Sequence, residues 1–176
     1  MNVKAMNMFL SEENIKRHLE HLRTHKLKLS ILEKSQPELK GKDINEISKM
    51  SINRDIREEA LNLIWYIKSH ECFFKSFCQV QLKSECVLKH FSSREKFLYD
   101  LSVEAKEHDH GFLYVYLDRR GVPRTSFLAE PSGAFLKFTP ILALDLYEHT
   151  YFLDYGFMKD KFISNALIYL DVGKLK

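Results

Sequence analysis

Apolar residues recur at helical spacing through most of the first half of the chain. Ser11 precedes two glutamates and an amphipathic series, so a long helix capped by Ser11 is predicted. The longest helical pattern covers residues 53–77, and a shorter one lies around residues 44–50. Residues 79–89 lack such a pattern, and we expect them to form irregular surface chain.

The pattern changes to strands in the second half. An aromatic-rich alternating segment at residues 111–117 predicts a strand, followed by a turn at 119–121 and a return strand at 125–129. The apolar run at residues 140–144 is short and begins at a proline, which favours a buried third strand over a helix.

Two more helices are predicted around these strands. One is capped at Ser92 or Ser93 and runs to about residue 107, and the other covers residues 161 to about 170. Helices first and strands afterwards indicate an α+β fold. We expect an N-terminal long-helix hairpin domain at residues 1–88 and a C-terminal domain at residues 89–176, with a three-stranded antiparallel sheet and surrounding helices.

The amino-acid composition excludes only a few classes of function. The 176 residues are 45% hydrophobic and 29% charged, which is ordinary for a globular protein. A net charge of +3 is too small to indicate nucleic-acid binding, and no apolar run reaches membrane-spanning length. The three cysteines lack CxxC spacing and an even count, which is typical of reduced thiols. We expect a cytoplasmic protein without nucleic-acid or membrane partners.

Candidate chemistry begins directly after the predicted third strand. We expect Asp145 at the end of this strand and His149 on the turn beyond it, which places a carboxylate and an imidazole four residues apart. Oxygen and nitrogen ligands at this spacing suit a metal such as Fe or Mn. Since Asp-x-x-x-His also arises often by chance, the pair alone favours a structural role over a metal site.

The surrounding segment carries more information. Residues 145–155, Asp-Leu-Tyr-Glu-His-Thr-Tyr-Phe-Leu-Asp-Tyr, resemble the D-x-W-E-H-A-Y-Y-x-x-Y signature of the iron/manganese superoxide dismutases. The signature residues present are Asp145, Glu148, His149, Tyr151 and Tyr155. Tyr147 replaces the tryptophan of the signature, and Phe152 replaces its second tyrosine.

The same family resemblance extends upstream, to about residue 9. The segment from Leu10 to His18 resembles the start of the family's first helix, and Ser69-His70-Glu71-Cys72-Phe73-Phe74 resembles its N-H-x-F-Y/F-W motif. The resemblance implies four ligands for one Fe or Mn ion per subunit: His18, His70, Asp145 and His149. His108 and His110 lie outside these positions, so we expect them in a surface turn.

The resemblance also implies an activity and an assembly. The activity is conversion of superoxide to O2 and H2O2, without a choice between Fe and Mn. The assembly is a homodimer in which Glu148 reaches the partner's last histidine ligand. The alternative interpretation is a catalytically weak or inactive dismutase-like metal-binding dimer.

That alternative depends on residues around the ligands. The family's gating His and Tyr on the first helix correspond to Leu22 and Lys26, and its solvent-binding Gln corresponds to Tyr66 or Glu130. We hypothesise that Lys26 and Glu130 form a charge-compensated pair near the metal; alternatively, both point to water. In the same register, His21 and His25 are expected at the surface.

Overall fold

The computed structural model describes residues 3–80, 83–131, 135 and 137–176. Its helices and strands, in chain order, are α1 (Val3–Met6), α2 (Glu12–Ser35), α3 (Ile44–Ser48), α4 (Arg54–Lys75), α5 (Glu85–Phe91), α6 (Arg94–Lys106), β1 (Phe112–Leu117), β2 (Pro123–Leu128), β3 (Leu142–Asp145), α7 (Glu148–Tyr155) and α8 (Lys159–Ile168). Short 3₁₀ turns occupy Pro37–Leu39 and Val172–Lys174.

The two long helices α2 and α4 pack against each other as the predicted hairpin. Ser11 caps α2 by accepting a hydrogen bond from the Asn14 N–H, and Asn53 caps α4 in the same way. These caps satisfy N–H groups that have no partner inside the helix. The N-terminus of α2 is also tied to α7, because the Asp154 carboxylate accepts from the Ser11 N–H at 2.8 Å.

The sheet has the strand order β2-β1-β3, and both pairings are antiparallel. The predicted α+β class and three-stranded antiparallel sheet are therefore confirmed. Gly111 fixes the start of β1: its φ is +128°, and a Cβ there would lie 2.6 Å from the Leu128 carbonyl oxygen. The Gly111 carbonyl accepts a hydrogen bond from the Leu146 N–H at 2.8 Å, which anchors the chain directly after β3.

The core lies between the α2–α4 hairpin, the sheet and α8. Its largest fully buried side chains include Trp65, Tyr114, Phe73, Phe74, Phe77, Phe97, Phe112 and Phe162. Helix α4 packs directly on β3, where the Ser76 hydroxyl accepts a hydrogen bond from the Ala143 N–H at 2.8 Å. This contact holds the C-terminal end of α4 beside the strand that ends at Asp145.

The structure corrects two local predictions. The segment expected to be irregular contains the start of α5, capped by Ser84 through a hydrogen bond from the Val87 N–H. His149, expected in a turn, lies in the first turn of α7. The division into residues 1–88 and 89–176 stays a prediction. None of the described helices combines the length and apolar character needed to cross a membrane.

Candidate metal centre

Asp145 forms the floor of the candidate site. It is the last residue of β3, and its side chain is completely buried. The Tyr147 N–H donates a hydrogen bond to Oδ1 at 3.1 Å, which fixes the carboxylate and turns Oδ2 towards three imidazoles. The Asp145 Oδ2 atom lies 3.1 Å from His18 Nε2, 3.3 Å from His149 Nε2 and 3.6 Å from His70 Nε2.

The histidines come from three helices. His70 on α4 has its Nδ1 2.7 Å from the Tyr66 carbonyl oxygen. A carbonyl only accepts, so Nδ1 carries the proton and the lone pair of Nε2 faces the site. His18 on α2 packs against Phe73 and Phe74, with ring centroids 5.1 Å and 4.8 Å away.

The arrangement fits a metal ion. The four candidate ligand atoms, one each from His18, His70, Asp145 and His149, lie within 4.8 Å of one another. His18 Nε2 and Asp145 Oδ2 are buried and 3.1 Å apart, yet neither has a hydrogen-bond partner among the residues that the structure describes. The distances of 3.1–3.6 Å from the Asp145 oxygen to the three imidazole nitrogens are of the size expected between atoms that each lie about 2 Å from one shared ion. Such an ion would satisfy buried polar atoms that are otherwise costly to leave unpaired.

The protonation states of the four candidate ligands also favour metal binding. Burial lowers the pKa of His18, and it lowers the pKa of His70 to about 3, so both imidazoles are neutral at pH 7. Burial would raise the pKa of Asp145, but the neighbouring His149 and His18 hold it well below its ordinary value. The Asp145 carboxylate raises the pKa of His149 despite burial. Asp145 is therefore ionised and offers a negative charge to a cation in the site.

His21 and His25 also face this site, which corrects the prediction that both lie at the surface. The His21 ring centroid lies 4.4 Å from that of His149. The side chains of His21 and His25 are both only partly exposed. The His25 ring stacks on Tyr66 at 4.9 Å. Their positions relative to His18, i+3 and i+7, share a helix face. The spacing from His18 could therefore have predicted that His21 and His25 face the site. It was missed because only positions i+4 and i+8 were considered.

The hypothesised pairing of Lys26 with Glu130 is wrong. The Lys26 ammonium lies 2.5 Å from the Glu71 carboxylate, and both side chains are substantially exposed. Glu130 is exposed near Tyr147, whose pKa is raised first by burial and partly by the Glu130 charge. The pairing fails because α4, rather than the loop after β2, supplies the carboxylate nearest to Lys26.

A protein-family comparison assigns the fold to a known group. The model of the C-terminal domain of iron/manganese superoxide dismutases matches residues 79–174, more than half of the chain. The chain belongs to the iron/manganese superoxide dismutase family. Among curated proteins, the search found no match. The matched dismutase domain contains Asp145 and His149, while His18 and His70 reach the same site from helices before it.

Proposed function

We propose that this dismutase-family chain converts superoxide to O2 and H2O2 at one Fe or Mn ion per subunit. The proposed ligands are His18, His70, Asp145 and His149. The observation that carries the proposal is the convergence of three imidazole nitrogens on the buried Asp145 Oδ2 at 3.1–3.6 Å. Three neutral donors and one carboxylate suit a redox-active transition metal.

Each ligand residue has a distinct task in this proposal. A bound Fe or Mn ion would supply the redox couple for oxidation of one superoxide to O2 and reduction of a second, with two protons, to H2O2. Asp145 offsets part of the ion's charge, and the Tyr147 N–H keeps its Oδ2 in place. The hydrogen bond from His70 Nδ1 to the Tyr66 carbonyl holds that ring in the ligating tautomer.

The surroundings of the ligands define a second set of proposed roles. His21 and the stacked pair of His25 and Tyr66 lie over the imidazole side of the site and limit access of solvent. The half-exposed Lys26 contributes a positive charge that attracts the superoxide anion, moderated by Glu71. Glu130 contributes negative charge near Tyr147.

We further propose a cytoplasmic homodimer. The His149 side chain is 31% exposed, whereas the side chains of the other three proposed ligands are 0% exposed. In this proposal Glu148, the exposed residue before it on α7, reaches the last histidine ligand of the partner subunit across a two-fold axis. A partner surface would then cover the one ligand that this protomer leaves open. The three cysteines have neither the CxxC spacing nor the even count of a disulfide framework, which agrees with a reducing compartment.

A second candidate function is a dismutase-like metal-binding dimer with little or no turnover. The observation that favours it is the altered surroundings of the site, where Lys26 is paired with Glu71 and two additional histidines stand beside the ligands. Both candidates require the metal. They differ in turnover per bound ion.

The decisive experiment loads the purified protein separately with Fe and with Mn and measures bound metal and superoxide turnover per ion. We expect about one ion per chain and turnover well above that of the free ion with at least one metal. Turnover no faster than the free ion, with full metal content, would leave the second candidate. The near-isosteric Asp145→Asn variant should lose most of the bound metal, because it removes the only anionic ligand. His90→Gln, at an exposed histidine of α5, is the matched control and should retain it.

A further inference from the structure

Two imidazoles beside the proposed metal centre are not among its four ligands. His21 and His25 are one turn apart on α2, and their Nε2 atoms lie 3.1 Å from each other. Both side chains are partly exposed. The two nitrogens share a hydrogen bond, and a metal ion that displaces its proton can be bound by both rings, since histidines at positions i and i+4 can bind one metal ion together.

The separation of the two nitrogens indicates the kind of ion. Two Nε2 atoms each about 2.1 Å from an ion, and 3.1 Å apart, subtend an angle of about 95° at that ion. An angle near 90° suits tetragonal Cu²⁺ or Ni²⁺, whereas tetrahedral Zn²⁺ prefers a wider one. Imidazole is also a preferred ligand of both ions, and Cu²⁺ binds most tightly among the divalent first-row metals.

The rings are already held in position. His25 stacks on Tyr66 with an interplanar angle of 12°, and the His21 ring lies 4.4 Å from His149 and 5.2 Å from His70. Because these contacts restrict the two side chains before any ion arrives, little rotamer entropy remains to be lost on binding. The partial exposure of both rings leaves room for water at the other coordination positions.

We propose that His21 and His25 form a second metal site, a two-nitrogen chelate for Cu²⁺ or Ni²⁺ next to the four-ligand centre. The ion is completed by water on its outer side, so it exchanges with solvent more readily than an ion enclosed by four side chains. This site goes beyond superoxide turnover and does not require it. It would let the protein take up a divalent transition metal even where the inner site holds another.

The test is a Cu²⁺ titration of the full chain, followed by calorimetry and by electron paramagnetic resonance of the bound ion. The wild-type protein should bind one more Cu²⁺ ion than the His25→Gln variant, with a signal from two equivalent nitrogens that the variant lacks. His21→Gln should have the same effect, because loss of either ring removes the chelate and weakens binding by roughly a hundredfold. His90→Gln should bind as the wild type does.

The difference of one ion is expected whether or not the inner site takes copper, so failure of the proposed function and failure of this proposal are distinguishable. Circular dichroism establishes that each variant is folded before titration. Equal copper content in the wild type, His21→Gln and His25→Gln would overturn the proposal. An additional ion lost equally in His90→Gln would also overturn it, because it would then reflect binding to surface histidines in general.

Discussion

The two sides of the candidate metal centre are held in place by different forces. On the C-terminal side, Asp145 is fixed by strand pairing with β1 and by a hydrogen bond from the Tyr147 N–H. On the α2 side, neither ring nitrogen of His18 has a hydrogen-bond partner among the described residues, and the ring is positioned by packing on Phe73 and Phe74. The position of Asp145 therefore depends on backbone hydrogen bonds, whereas the position of His18 depends on close packing in the core.

The largest effect is expected from a substitution that removes the packing around His18. Phe74→Ala removes a ring 4.8 Å from His18 and leaves a cavity, which should lower the free energy of unfolding by about 3–5 kcal/mol. Metal affinity should fall as well, because His18 loses the contact that positions it. Urea unfolding of the metal-free protein and a metal-binding titration measure the two effects.

Phe97→Ala is the matched control for that variant. Phe97 is equally buried but packs on Phe91 in the α5–α6 region. It should cost similar stability while metal affinity is unchanged. Equal affinities in the two phenylalanine variants would mean that His18 is positioned by something other than core packing.

Lowering the pH should change the free energy of unfolding in opposite directions through the histidines with lowered pKa values and through His149. Burial lowers the pKa values of His18 and His70, so below pH 6.5 the unfolded chain binds protons that the folded metal-free chain does not. Their stabilising contribution is present above pH 6.5 and is lost as the pH falls towards about 3 for His70. His149 has a raised pKa beside Asp145, so its contribution is present below pH 6.5 and lost at higher pH.

Burial also lowers the pKa of His21 to about 4 and the pKa of His25, so four histidines oppose His149. The metal-free protein should therefore lose stability between pH 7 and 5.5, with about 1 kcal/mol of the loss due to His70. Thermal unfolding across this range measures the slope. His70→Gln should reduce the total loss by about this amount, since the unfolded chain no longer takes up a proton at that position. A stability that rises on acidification would show that the Asp145–His149 pair dominates instead.

The same contrast explains what could be predicted from the sequence. Asp145 ends a buried strand and His149 lies four residues later, so their relative positions are fixed by adjacent chain, and the structure places them together. His21 and His25 were misplaced because steps of three and of four residues both stay on one helix face, and only the neighbours decide between them. The partner of Lys26 could not be predicted either, because Glu71 approaches it from a different helix.

The smallest expected effect tests the outer rim of the site. Lys26→Ala removes an exposed ion pair with Glu71, so stability should change by less than about 1 kcal/mol and metal content should stay the same. Turnover per ion should fall by roughly twofold at low salt and converge with the wild type at high salt, because a single rim charge acts by attracting the anion. Lys96→Ala, which removes a similarly exposed pair with Asp100 on α6, should leave turnover unchanged. A loss of bound metal in Lys26→Ala would contradict this prediction. It would mean that Lys26 acts on the metal ligands directly and not only from its surface contact with Glu71.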